Sequence, residues 1–101
     1  MATNPKLLFR GAATTNTATT LYTTPSATTT VVSNIVVTNT ASLDATYTLT
    51  LDGIALATTV TIGGNTSAFI DLRQVLVATD TISGGASAAT VNFHISGVEI
   101  A

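Results

Sequence analysis

The segment 43–62 constrains the fold most strongly, because Asp52-Gly53 lies between two runs in which apolar and polar residues alternate. Asp-Gly between alternating runs is the strongest short-range signal for a two-residue β-hairpin turn. Pairing Leu51 with Ile54 then fixes the register, since successive side chains of a strand point to opposite faces.

This register gives the hairpin two different faces. The predicted pairs on the core side are Leu49 with Leu56, Tyr47 with Thr58, Ala45 with Val60 and Leu43 with Ile62. The other side carries Asp44, Thr46, Thr48, Thr50, Ala55, Ala57, Thr59 and Thr61. One face is therefore predicted to be core, and the other a flat surface of Thr and Ala.

The rest of the chain also has strand signals and no helical periodicity. We predict strands over 6–10, 30–40, 66–72, 80–83 and 89–100, with turns at Gly63-Gly64 and Gly84-Gly85 and a bulge at Ser96-Gly97. The expected fold is all-β: a single antiparallel β-sandwich or jelly-roll-like domain of seven to eight short strands. Within it, 1–20 is an N-terminal strand with a Thr/Ala-rich arm, and 21–101 is the β-sandwich.

The surface of such a domain would be unusually poor in charge. Charged residues make up 8% of the chain, against about 25% in typical globular domains. Thr, Ser, Ala and Asn must cover the exterior instead, and this surface is cheap to desolvate. We interpret it as a surface covered by partners or sister copies; the alternative is a weakly charged domain without such a role.

Charge and hydropathy also bear on partners and location. Net charge is -2, and the cations are Lys6, Arg10 and Arg73, too few for a nucleic-acid surface. No run of about 18 apolar residues occurs, and the N-terminus lacks the apolar run of a signal peptide. We expect synthesis in the cytoplasm and no membrane partner.

The sequence predicts no catalytic, cofactor or metal site. The single histidine, His94, alternates with Phe93 and should lie on the outer face of its strand, without a nucleophile signature. The chain has no Cys, and its acids lack metal-ligand spacing. Asp71 and Asp80 are the one pair that could serve a glycosidase, and we interpret them as turn residues.

Ice binding and carbohydrate binding are two functions that a β-sandwich of this composition could serve. The Thr-x-Thr array of the hairpin could in principle bind ice, but its spacing does not recur along the chain. Carbohydrate modules use exposed aromatic platforms, and this chain has no Trp, two Tyr and three Phe. Packing of a flat sheet face is the simpler interpretation of both patterns.

The chain also resembles small β-sandwich virion proteins of tailed bacteriophages. The likeness is carried by Leu21-Tyr-Thr-Thr-Pro25, the strand ending Thr38-Asn-Thr40, the Asp-Gly hairpin, Asp80-Thr-Ile82 and Ile95-Ser-Gly-Val-Glu-Ile100. It implies a capsid decoration or cement protein on the capsid surface, favouring a trimer, with the major capsid protein or another virion protein as partner. The alternatives are a tail or baseplate component and a host-surface or carbohydrate-binding module.

The candidate partner-binding residues follow from both lines of reasoning. Lys6, Arg10 and the Thr-rich stretch after them are expected to clamp neighbouring subunits. Thr46, Thr48, Thr50, Thr59 and Thr61 are expected to contact other copies. Deleting residues up to Gly11 should abolish particle binding and leave the sandwich folded.

Overall fold

A computed structural model describes residues 3–101, and every regular element in that range is a β-strand. The strands are β1 (Thr3–Ala12), β2 (Thr20–Thr23), β3 (Thr29–Asn39), β4 (Ala45–Leu51), β5 (Ile54–Ile62), β6 (Ser67–Leu76), β7 (Thr81–Ala86) and β8 (Val91–Ile100). The first two residues of the predicted segment 1–20 lie outside the described range.

The strands form two four-stranded antiparallel sheets. The first sheet has the order β1-β8-β3-β6, and the second has the order β2-β7-β4-β5. Eight strands divided in this way between two packed sheets make a jelly roll. The prediction of a single all-β sandwich of seven to eight strands is confirmed. The edge strands are β1 and β2 on one side of the sandwich and β5 and β6 on the other.

The core lies between the sheets and is built by alternation along the central strands. Ile35 of β3 lies between Ile95 of β8 and Ile70 of β6 in one paired row, and Ile35 and Ile95 are 0% exposed. From the second sheet, Tyr47 meets Phe93 edge-on, with ring centroids 6.4 Å apart. Burying each large apolar side chain contributes about 1.5–3 kcal/mol, so these rows hold the sheets together.

The hairpin forms as predicted at its turn, but the predicted register is wrong beyond it. Leu51 pairs with Ile54, whereas Leu49 pairs with Ala57 instead of Leu56. Further along the hairpin, Tyr47 pairs with Val60 and Ala45 with Ile62, and Leu43 lies before β4. Two extra residues bulge from β5, one at Leu56 and one at Thr58-Thr59, and each moves the pairing by one position.

The predicted bulge at Ser96-Gly97 is also wrong. β8 alternates without interruption, and the extra residues lie in its neighbours, at Leu8 of β1 and Ser33 of β3. Gly97 therefore points inward, where an added Cβ would lie 2.2 Å from the carbonyl oxygen of Val31. The apolar phase shift in the sequence reflects this inward glycine, which makes room for the neighbouring strands.

The pair Gly84-Gly85 does not form the predicted turn but lies inside β7. A Cβ on Gly84 would lie 2.5 Å from the Thr48 carbonyl oxygen, and one on Gly85 would lie 2.5 Å from the Asn16 carbonyl oxygen. These glycines allow the backbones of β4 and of the segment after β1 to approach β7 closely.

The N-terminal segment is part of the sandwich. β1 pairs with β8 along its described length, and Leu8 enters the core at 7% exposure. The segment after β1 lies along β7, because the amides of Ala86 and Gly84 donate to the carbonyls of Thr14 and Thr19. Deleting residues up to Gly11 would remove this edge strand and the buried Leu8. The expectation that the sandwich stays folded without them therefore remains a prediction.

Candidate functional site

The Thr/Ala face predicted for the hairpin lies on the outside of the second sheet. Thr46, Thr48 and Thr50 of β4 are half-buried, and Thr61 of β5 is exposed opposite Thr46. The row continues onto β7, where Thr50 pairs with Ser83 and Thr48 with Gly85. The structure thus brings these threonines together on a flat face of small side chains.

Thr59, the fifth threonine, stands apart from this row. It lies in the second bulge of β5 with a positive φ of 49°, and its amide donates to the Thr48 hydroxyl oxygen at 3.0 Å. A β-branched residue rarely adopts this conformation, and here the Thr48 hydroxyl supports it. Thr59 is exposed and stands beside the flat face.

Lys6 and Arg10, the predicted clamp residues, lie on the edge strand β1. The Lys6 ammonium nitrogen lies 3.5 Å from Glu99 Oε1. Arg10 is exposed and pairs across the strands with His94. His94 in turn pairs with Val36, so it lies in an outward-facing row of the first sheet. Lys6 is thus tied to its own sheet, and Arg10 remains open to solvent.

A half-buried tyrosine, Tyr22, joins the two sheets at the end of the molecule where Lys6 lies. The Tyr22 hydroxyl donates to Glu99 Oε2 at 2.5 Å and lies 2.8 Å from the Thr30 hydroxyl. Burial raises the pKa of Tyr22 above its ordinary value, and the hydrogen bond to Glu99 raises it further. This cluster holds β2 against the first sheet and explains how Glu99 is accommodated on an inward-facing position.

The structure reveals an exposed apolar surface that the sequence did not predict. We call it the β5–β6 side and define it by the exposed apolar side chains on or next to these two edge strands. They are Ile54 (73% exposed), Leu56 (37%), Val60 (38%), Phe69 (78%), Val75 (61%) and Val77 (57%). Alternation alone predicted Ile54, Leu56 and Val60 to be buried, but at a sheet edge no strand covers them.

The two edge strands enclose a groove on this side. It has a volume of about 290 Å³ and is lined by Ile54 and Leu56 from β5 and by Val75 and Leu76 from β6. Asp52 and Asp80 lie at the groove as well. The core is thus incompletely closed here. The alternation within β5 does not distinguish an edge strand from a central one, so these residues could not be found from it.

The two aspartates considered for glycoside chemistry take separate positions. Asp71 is exposed on β6, whereas the Asp80 carboxylate accepts a hydrogen bond from the Val77 amide at 3.0 Å and shapes the turn after β6. Across residues 3–101, no group of three or more His, Cys, Asp or Glu side chains is placed to hold a metal ion. In the same range, no helix is long and apolar enough to cross a membrane.

No family model matches this chain, and no curated protein matches it either. Among solved structures, it is similar to a crystal structure of a pentameric capsid protein isolated from metagenomic phage sequences, with 28% identity over 95% of this chain and 59% of that chain and a TM-score of 0.44. A second crystal structure of such a protein, solved by iodide SAD phasing, gives 29% identity over 95% and 61%, with a TM-score of 0.41. The chain spans about three fifths of the length of these proteins.

Proposed function

We propose that this chain is a structural protein of a phage virion, a decoration protein that binds the assembled head and stabilises it without catalysing a reaction. The observation that carries the proposal is a nearly uncharged jelly roll that leaves one flat polar face and one apolar side exposed. Such surfaces suit close contact with other proteins, because little charge has to be desolvated. The sequence resemblance to phage virion proteins supplies the kind of particle.

The jelly roll is compatible with this role but does not decide it. The fold occurs in viral capsid domains, in lectin domains and in cupins, and a fold hosts many functions. The exposed surfaces, and not the fold, therefore support the decoration role. The outer face of the second sheet combines small side chains with hydroxyls that can bond to a partner, as an interface against a shell requires.

We propose that the face bearing Thr46, Thr48, Thr50 and Thr61 lies against the particle. The sequence predicted that these residues contact other copies of the chain, which is untested, and we propose the shell contact in its place. A contact between copies would bury apolar side chains, and the exposed ones lie on the β5–β6 side. The threonine face is therefore available for the shell. Lys6 and Arg10 remain predicted contacts at the edge of the first sheet.

A decoration protein acts by binding the closed shell more tightly than its separated subunits, so opening the shell costs the lost contacts. An oligomer, with the trimer favoured by the resemblance, would engage several sites at once and convert weak single contacts into strong attachment. The head should therefore open at a higher temperature when the protein is bound.

Heads of the phage that encodes the chain, prepared without this protein, provide the test. Purified protein should sediment with these heads, give density on the outer capsid faces in electron micrographs and raise the temperature of DNA release. Thr61→Glu should weaken this binding, and Ala89→Glu, at an exposed position in the β7–β8 turn, is the matched control.

Each other outcome has a defined meaning. Attachment to tails alone would support a tail or baseplate component in place of decoration. Absence from both heads and tails would contradict the virion proposal. Binding of the free protein to a glycan array, without particle binding, would support a host-surface or carbohydrate-binding module.

A further inference from the structure

We infer that the β5–β6 side of one copy binds the β1–β2 side of a second copy of this chain, so that copies join head to tail. The β1–β2 side is the opposite side of the sandwich, formed by the edge strands β1 and β2. The inference concerns the free protein and does not require a phage particle.

The first argument is the one-sided distribution of exposed apolar side chains. Within residues 3–101, eight large apolar residues are exposed, and six of them define the β5–β6 side. Leu7, at 47% exposure, lies on β1. Exposed apolar residues scattered singly need no explanation, whereas Ile54, Leu56 and Val75 line one open groove, and such a group marks an interaction site.

The second argument is charge, which selects the partner surface. Four of the five acids lie on or near β5 and β6. Asp52 lies in the turn before β5, Asp71 lies on β6, and Asp80 follows β6. The Asp44 carboxylate accepts a hydrogen bond from the amide of Gly64, which lies between the two strands. Arg73 is the cation among them. The β5–β6 side therefore carries net negative charge.

The β1–β2 side carries the other two cations, Lys6 and Arg10. Glu99 offsets Lys6, and the structure shows no ion pair for Arg10 in its described part. Two β5–β6 sides facing each other would place like charges together, which is unfavourable. Contact with the β1–β2 side instead brings Arg10 and Leu7 to an acidic, apolar surface.

The third argument is strand direction. Each sheet has four antiparallel strands, so its two edge strands run in opposite directions. A second copy can be placed beside the first by rotation about an axis that runs along the strands. Its β1 then runs antiparallel to β6 of the first copy, and its β2 runs antiparallel to β5. The first sheet can therefore continue from copy to copy through β6 and β1 with the pairing geometry that it already uses. At β5, whose two bulges interrupt the backbone row, the contact is made through side chains.

A contact between two different sides is heterologous, and such contacts close into rings when the rotation between copies completes a circle. Each copy in a ring buries both of its sides. This arrangement covers the open end of the core and leaves the threonine face of the second sheet free.

The test uses two variants that each damage one side. Val75→Asp damages the β5–β6 side, and the double variant Leu7→Asp, Arg10→Glu damages the β1–β2 side. Ala89→Asp, which adds the same charge in an exposed turn, is the control. Native mass spectrometry and sedimentation velocity measure the species of each protein up to millimolar concentration.

Wild type and Ala89→Asp should form a closed oligomer, and each side variant alone should be monomeric. Mixing the two variants should give a one-to-one heterodimer and nothing larger, because only one intact pair of sides remains. Formation of the heterodimer also shows that both variants are folded. Phe69→Asp, at a position 78% exposed, replaces Val75→Asp if that variant does not fold.

Three results would overturn the inference. They are a wild-type monomer at every concentration, normal assembly of the β1–β2 variant alone, which would indicate a symmetric β5–β6 contact, and two folded variants that form no heterodimer. Because no particle is present, none of these results bears on whether the protein binds a phage head.

Discussion

Asn39 provides the sharpest test of how the sandwich is held together. It is a fully buried polar residue, 0% exposed, at the end of β3. Its side-chain amide donates to the carbonyls of Leu43 at 2.8 Å and Ile62 at 3.3 Å. Its carbonyl accepts from the Ala41 amide at 3.1 Å and the Thr90 hydroxyl at 3.2 Å. One side chain thus ties together the loop after β3, the end of β5 and the turn after β7.

Asn39→Ala removes all four hydrogen bonds. At about 1 kcal/mol for each bond, the free energy of unfolding should fall by roughly 4 kcal/mol. This is a large share of the about 5–15 kcal/mol typical of a domain, and it should lower Tm by roughly 15–30 °C. Urea unfolding followed by circular dichroism measures the free energy of unfolding, and thermal unfolding followed by the same signal measures Tm.

Two comparison variants make this experiment decisive. Asn34→Ala, at an exposed position of the same strand, should change stability by less than about 0.5 kcal/mol. Asn39→Asp keeps the shape but loses the two donors. Burial raises the pKa of the new carboxyl above its unfolded value, so this variant should be most stable in acid and lose stability as pH rises through that pKa. If Asn39→Ala matched Asn34→Ala, the network would not contribute as argued.

Two further predictions concern close packing and pH. Gly84→Ala places a Cβ 2.5 Å from a main-chain oxygen of β4 and should cost about 1–3 kcal/mol, while Gly11→Ala, with 3.5 Å to its nearest neighbour, should be neutral in the same urea titration. The pKa of Tyr22 is raised by burial and by its hydrogen bond to Glu99. The stability that Tyr22 contributes is therefore complete at pH below its unfolded pKa of 10.0, and it is lost as the pH rises through the higher pKa of the folded state. Tyr22→Phe should reduce this alkaline loss; an unchanged slope of unfolding midpoint against pH would contradict the argument.

Local signals in the sequence predicted the strand content well. Asp52-Gly53 has the turn chemistry of a hairpin, and Asp52 adopts a positive φ of 48° there, as a type I′ turn requires. The β-branched segment 30–40 was predicted as a central strand and lies between β8 and β6. These features depend on neighbours in sequence, so a single sequence contains them.

Features that depend on distant segments could not be predicted. The bulges in β5 and the inward position of Gly97 result from which strands lie side by side, and this pairing joins residues far apart in the chain. The same is true of Gly84 inside β7, which a local signal assigned to a turn. The position of β5 at a sheet edge decides that Ile54 is exposed, and alternation contains no information about edges.

The composition and shape of β5 have a consequence for the protein before it assembles. β5 has nine residues without a charge, and an uncharged, apolar edge strand can recruit foreign strands and start aggregation. Its two bulges break the even row of backbone donors and acceptors that such stacking needs. The bulges thus oppose edge-to-edge stacking of β5 while its apolar side chains stay exposed.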